Sequence, residues 1–167
     1  MQLTHYNTKF SKQIFPVTVV CNNVTNAPNI GSLFRICDAF GVEKLILCCE
    51  NIPFGRKMTK TSRATQKSVN YHIESNISNT ISTLQNKGYY IISLEITNNS
   101  KPIHTFNFSE VKKPIALIIG DENFGVSQNI LEISNAVIHI NMFGQNSSMN
   151  VVQATNIALY EITKQLL

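Results

Sequence analysis

Short, continuous apolar runs of strand length recur through this chain: Pro16 to Cys21, Lys44 to Cys48, Val69 to Ile73, Tyr89 to Leu94, Ile115 to Gly120 and Val137 to Ile140. Runs without polar alternation belong to strands buried on both faces, the habit of parallel sheets. The stretches between them carry helical period. Ile77, Ile81 and Leu84 fall at i, i+4, i+7, and Gly88 is placed to end that helix in a left-handed cap. A first helix is predicted from about Asn29 to Phe40, with Ile30, Leu33, Phe34 and Cys37 inward and Gly41 as its stop. A last helix is predicted from about Asn150 to Leu166, with Val151, Ala154, Ala158 and Ile162 on one face. This alternation predicts an α/β fold, a parallel sheet covered by helices on both sides. Ligands of such sheets bind beyond the carboxyl ends of the strands, so the loops after Cys21, Leu94, Gly120 and Ile140 are where a site is expected.

With 167 residues, 43% hydrophobic and 14% charged, the chain has apolar mass for one core, which excludes a disordered tail or a coiled coil. A single domain over residues 1–167, with a lead-in over 1–15, is expected. No apolar run approaches the roughly 20 residues of a membrane span, and Ile14 to Cys21 lacks a signal cleavage site, so a soluble cytoplasmic protein is expected. Cys21, Cys37, Cys48 and Cys49 show no C-x-x-C spacing and stand apart from His5, His72, His104 and His139. Buried reduced thiols are therefore expected, with no metal and no membrane partner. The net charge of +4 permits an anionic partner, and from Phe54 to Ser68 the chain carries Arg56, Lys57, Lys60, Arg63 and Lys67 with no acidic residue between them.

The loops carry the chemistry. In "NIGSLFRICDAFGV" Asn29 can cap the helix, Gly31 admits a second backbone, and Arg35 sits between apolar Phe34 and Ile36. In "IALIIGDENFGVS" a strand runs into Gly120, Asp121, Glu122 and Gly125; Val126-Ser127 stands where a phosphate loop needs Gly-Lys-Ser/Thr, so a nucleotide triphosphatase is excluded. The absence of G-x-G-x-x-G after the first strand argues against an NAD enzyme. In "IHINMFGQNSSMNVVQATNIALYE" small and amide residues crowd the turn before the last helix. Taken alone, these residues fit either a polar loop capped by Asn150 or a backbone grip on a purine base.

Three loops in this order and at these distances resemble the signature motifs of the SpoU (TrmH-like) branch of the SPOUT RNA methyltransferases, over residues 16–167. The first motif appears as Asn29, Gly31, Arg35 and Phe40-Gly41, the second as Gly120, Glu122 and Gly125, the third as Ile140, Met142, Gly144, Ser148, Met149 and Asn150. The resemblance implies a Rossmann-like parallel-sheet SPOUT domain with a C-terminal deep trefoil knot, working as a homodimer through its first and last helices. It implies S-adenosylmethionine as cofactor, held by Leu94, Gly120, Ile140, Met142 and Met149. It implies RNA ribose 2′-O-methylation with Asn29, Arg35, Glu122, Ser148 and Asn150 as catalytic residues; the run of Arg56, Lys57, Lys60, Arg63 and Lys67, with no acid between them, is expected to meet the RNA phosphates. The minimal length favours transfer RNA over ribosomal RNA, and a catalytically silent RNA-binding homologue is the third reading. Departures from the pattern are Asn141 for Pro, Met149 for Leu and Val152 for Ser.

Overall fold

The computed structural model describes residues 7–8, 10–121 and 123–167; residues 1–6, Lys9 and Glu122 lie outside them. The strands are β1 (Phe15–Asn22), β2 (Val42–Cys48), β3 (Tyr71–Glu74), β4 (Tyr90–Leu94), β5 (Lys101–Pro102), β6 (Ile115–Ile119) and β7 (Ala136–His139). The helices are α1 (Ala27–Ala39), α2 (Arg56–Ser62), α3 (Ile77–Asn86), α4 (Gln128–Ile133) and α5 (Val151–Leu166). The strands form one sheet in the order β3-β2-β1-β6-β4-β7-β5, and every pairing between them is parallel. All six expected strands are present. β5 was not anticipated, because two residues carry no periodicity.

Successive side chains of a strand point to opposite faces, and the core divides accordingly. Val17, Val19 and Cys21 of β1 pack with Leu117 of β6 and with Ile30, Leu33, Phe34, Ala158 and Ile162 of α1 and α5. Val20, Ile46, Ile91 and Ile118 face the other way, onto Ile81 and Leu84 of α3 and Ile130 of α4. The stops at Gly41 (φ +58°) and Gly88 (φ +83°) are left-handed, as expected.

One expectation is corrected. Asn29 is not the cap of α1; Asn26 is, its side chain accepting from the Asn29 N–H at 3.2 Å. Pro28 explains the shift. Its missing N–H is harmless only in the first turn, which draws the helix start two residues upstream and leaves Asn29 inside that turn.

Candidate active site and cofactor cavity

A cavity of about 760 Å³ opens at the carboxyl ends of β4, β6 and β7, within the range of small-ligand sites. Its wall comes from three loops: Leu94 to Thr97 after β4, Ile119 to Asp121 and Asn123 to Val126 after β6, and His139, Ile140, Met142 and Ser148 to Val151 after β7. Asn26, at the head of α1, completes it.

Glu95 ties the first two loops together. One carboxylate oxygen accepts from the Val126 N–H at 2.8 Å, the other from the Ile96 N–H at 2.9 Å. Gly125 makes room for that carboxylate: its φ is +65°, and a Cβ there would lie 2.2 Å from Glu95 Oε2. Gly120 is equally constrained, since its Cβ would fall 2.3 Å from the Gly125 carbonyl carbon. The turn is closed by Asp121 N–H to Gly125 O (3.0 Å) and Gly125 N–H to Asp121 O (2.9 Å). Asp121 Oδ1 accepts from the Asn123 and Phe124 N–H groups, and Oδ2 from the Asn23 amide. Partial burial would raise the Asp121 carboxyl, but these three donors outweigh it and hold the group below the usual carboxylate range. Asp121 thus holds the loop together from within the cavity wall.

The third loop joins the site to both terminal helices. Asn150 caps α5, accepting from the Val152 N–H at 2.8 Å, and its amide donates to Asn29 Oδ1 at 3.3 Å. Val152, in place of the motif serine, packs against the core. His139 Nδ1 and Ser100 Oγ lie 2.9 Å apart, linking β7 to the loop after β4. The Asn141 amide oxygen is buried without a hydrogen-bond partner among the described residues.

All five residues expected to hold cofactor, Leu94, Gly120, Ile140, Met142 and Met149, lie in the cavity wall. Ser148 and Asn150 lie there too, and Asn29 is bonded to Asn150. Arg35 does not: it is exposed on α1, outside the wall, six residues or roughly 9 Å beyond Asn29. Glu122 falls outside the described residues. Arg56, Lys57, Lys60, Arg63 and Lys67 are all exposed, on α2 and the turns that follow. α2 sits tightly on α1 at Gly31, where a Cβ would meet Thr61 Oγ1 at 2.1 Å and Met58 O at 2.4 Å. Sequence reasoning missed Glu95, Asn26 and His139. A carboxylate directly after the apolar run of β4 was the available signal for Glu95.

The profile of the SpoU rRNA Methylase family matches residues 16–160. The chain belongs to that family. A tRNA (guanosine(18)-2′-O)-methyltransferase of Aquifex aeolicus is 34% identical over 152 residues, spanning 88% of this chain and 68% of the relative. A 23S rRNA (guanosine-2′-O-)-methyltransferase of Ralstonia nicotianae is 26% identical over 90% of this chain and 59% of its own length. The crystal structure of the A. aeolicus TrmH/SpoU tRNA modifying enzyme superposes with a TM-score of 0.82 at 29% identity, covering 92% of this chain and 77% of that one. An AdoMet-bound rRNA methyltransferase from Sinorhizobium meliloti shares the fold, with a TM-score of 0.84 at 23% identity over 95% of this chain and 59% of that one. SpoU membership carries with it the C-terminal trefoil knot. Among the described residues no cluster of His, Cys, Asp and Glu is arranged to hold a metal ion, and no helix is long and apolar enough to cross a membrane.

Proposed function

We propose that this chain methylates transfer RNA, as a homodimer in which Arg35 of one subunit serves the cavity of the other. The underlying activity is that of the SpoU family, S-adenosylmethionine-dependent methylation of RNA at a ribose 2′-oxygen. The observation that carries the reading is the cavity itself, walled at the carboxyl ends of the strands by the second and third motif loops and the loop after β4, with Asn26, three residues ahead of the first motif, at its edge. The cavity suits the cofactor: Gly120 and Gly125 leave no space for a Cβ, so their backbone lines the wall without side-chain cover.

S-adenosylmethionine supplies an electrophilic methyl on a sulfonium. Leu94, Gly120, Ile140 and Met149 would hold it through their backbone and Met142 through its side chain. The chain's own task is to align a ribose hydroxyl in line with that methyl. Arg35 is permanently protonated, so it positions the hydroxyl and the adjacent phosphate through its planar fork and does not remove the proton. Asn29 and Asn150, already joined, and Ser148 orient the nucleotide; Glu122 takes its catalytic assignment from the motif resemblance.

Support for the dimer comes from Arg35, which is exposed and absent from its own cavity wall, and from α5, which exposes Ile157 and Tyr160. Transfer RNA is favoured by the likeness to the Aquifex enzyme. The test is transfer of labelled methyl to bulk transfer RNA and to ribosomal RNA, wild type beside Arg35→Ala, with nucleoside analysis of the product. Label as a 2′-O-methyl nucleoside in transfer RNA, lost in the variant, is expected; label confined to ribosomal RNA would overturn the substrate assignment, and none in either pool would overturn the activity.

A further inference from the structure

A second cleft, of about 590 Å³, runs along the β5 edge of the sheet, away from the basic α2. Lys101, Lys112 and Lys113 surround it, with the half-buried rings of Tyr90 and Phe106 in its wall. Its register relative to the cofactor cavity is set by the strands. Leu94 pairs with Ile138, and Ile138 with Lys101, so Lys101 stands level with the cavity wall. Lys112 and Lys113 precede β6 at the level of Tyr90, whose N–H donates to Pro114 O. Four residue steps of β4 separate the two levels, about 13 Å at 3.3 Å per step. The lysines therefore form a track from the rim of the cavity down the sheet edge.

The cleft is a built feature. Gln165 of α5 bridges the segment beneath it, its Oε1 accepting from the Phe108 N–H at 2.8 Å and its Nε2 donating to Phe106 O at 3.2 Å. Charge there is unbalanced: Glu110 is the one acidic group in the wall and its carboxylate is engaged by the Asn107 amide at 2.8 Å, while none of the three lysines forms an ion pair among the described residues. Lys112 only donates to Ser109 O.

We propose that this cleft binds the backbone of the substrate RNA on the far side of the nucleotide being methylated, phosphates meeting Lys101, Lys112 and Lys113 and an unpaired base resting against Phe106. Cations lining a groove with aromatic rings in its wall are the usual means of holding single-stranded nucleic acid without reading its sequence. The inference rests on RNA being the substrate. It extends the contact surface to the sheet edge opposite α2, so that RNA entering the cavity is held on both sides.

The test replaces Lys101, Lys112 and Lys113 together by Gln in the full chain, with Lys12, Lys44 and Lys87 changed to Gln as a charge-matched control and Phe106→Ala as a separate variant. The RNA is whichever pool the wild type methylates. Expected are a rise in KM for RNA of tenfold or more in the triple variant, an unchanged affinity for S-adenosylmethionine, kcat within about twofold, and a slope of log affinity against log salt shallower by about 2, the share of three single-strand phosphates. Phe106→Ala should raise KM without altering the salt slope. A triple variant matching the control in KM and slope would overturn the cleft alone. A wild type that methylates no RNA would overturn the functional reading, and the cleft with it.

Discussion

Gly120→Ala adds one methyl group at the floor of the cavity, where no left-handed φ is involved and the conflict is purely steric. The new Cβ would stand 2.3 Å from the Gly125 carbonyl carbon and 2.6 Å from the Val126 nitrogen, backbone atoms that cannot rotate aside. Ordinary carbon contact is about 3.5–4.0 Å, so the opposing strand of the turn must retreat by more than about 1 Å. That retreat breaks the two Asp121–Gly125 backbone bonds, about 1 kcal/mol each, and pulls the Val126 N–H from the Glu95 carboxylate, worth about 1.5–3 kcal/mol. The native loop is thereby disfavoured by roughly 3–5 kcal/mol, and at about 1.4 kcal/mol per decade S-adenosylmethionine affinity should fall at least 100-fold. Gly144→Ala is the control, because a Cβ there meets nothing within 4 Å. Titration calorimetry with the cofactor, beside thermal unfolding of both variants, makes the comparison. Gly120→Ala binding within threefold of Gly144→Ala would refute the steric argument.

Arg35→Ala should lower turnover by about 10²- to 10³-fold, the cost of removing one preorganised donor, while leaving cofactor affinity unchanged because Arg35 is outside the cavity wall; weakened cofactor binding would place its role elsewhere. The Asp121 carboxyl is held below its unfolded value, so its contribution to the loop is present above about pH 4 and is lost as pH falls through the depressed folded value. Cofactor affinity should therefore hold from pH 8 to about 4 and fall below that, a dependence that Asp121→Asn should flatten, as pH-resolved fluorescence titration would show. Burial pushes the Cys21 and Cys37 thiols well up and Cys48 to about 11, so a thiol reagent at pH 8 should leave all three unmodified until the chain is unfolded. With about four of the Arg56–Lys67 cations on single-stranded phosphates, log RNA affinity should fall with log salt at a slope near −3 before any contribution from the lysine track; a slope left unchanged when Arg56, Lys57, Lys60, Arg63 and Lys67 are together replaced by Gln would remove α2 from the RNA surface.

The sheet was legible because Val17–Cys21 and Ile115–Ile119 are buried on both faces and so read as unbroken apolar runs. The loops were legible only as motifs: periodicity says nothing of Gly120, whose significance is a contact with Gly125 that appears once the chain folds back. Asn29 was misread as a cap because Asn26 competes for the same role three residues earlier and Pro28 decides between them. Glu95 was missed since its partners, Val126 and Gly125, lie some thirty positions away. α2 offered no apolar stripe, only Met58 and Ser62 being buried, and its seat on α1 depends on Gly31 having no side chain.

The cavity draws its wall from residues as early as Asn26 and as late as Ala154, and its final support, Asn150 on Asn29, joins positions 121 apart. During synthesis the N-terminal strands emerge first, yet no cavity exists until α5 has docked beside α1. The cofactor therefore recognises the chain only once the segments from Asn26 to Ala154 are together, and its binding stabilises that arrangement by mass action. A bound S-adenosylmethionine would thus favour the docked arrangement of α1 and α5 over every partly folded one.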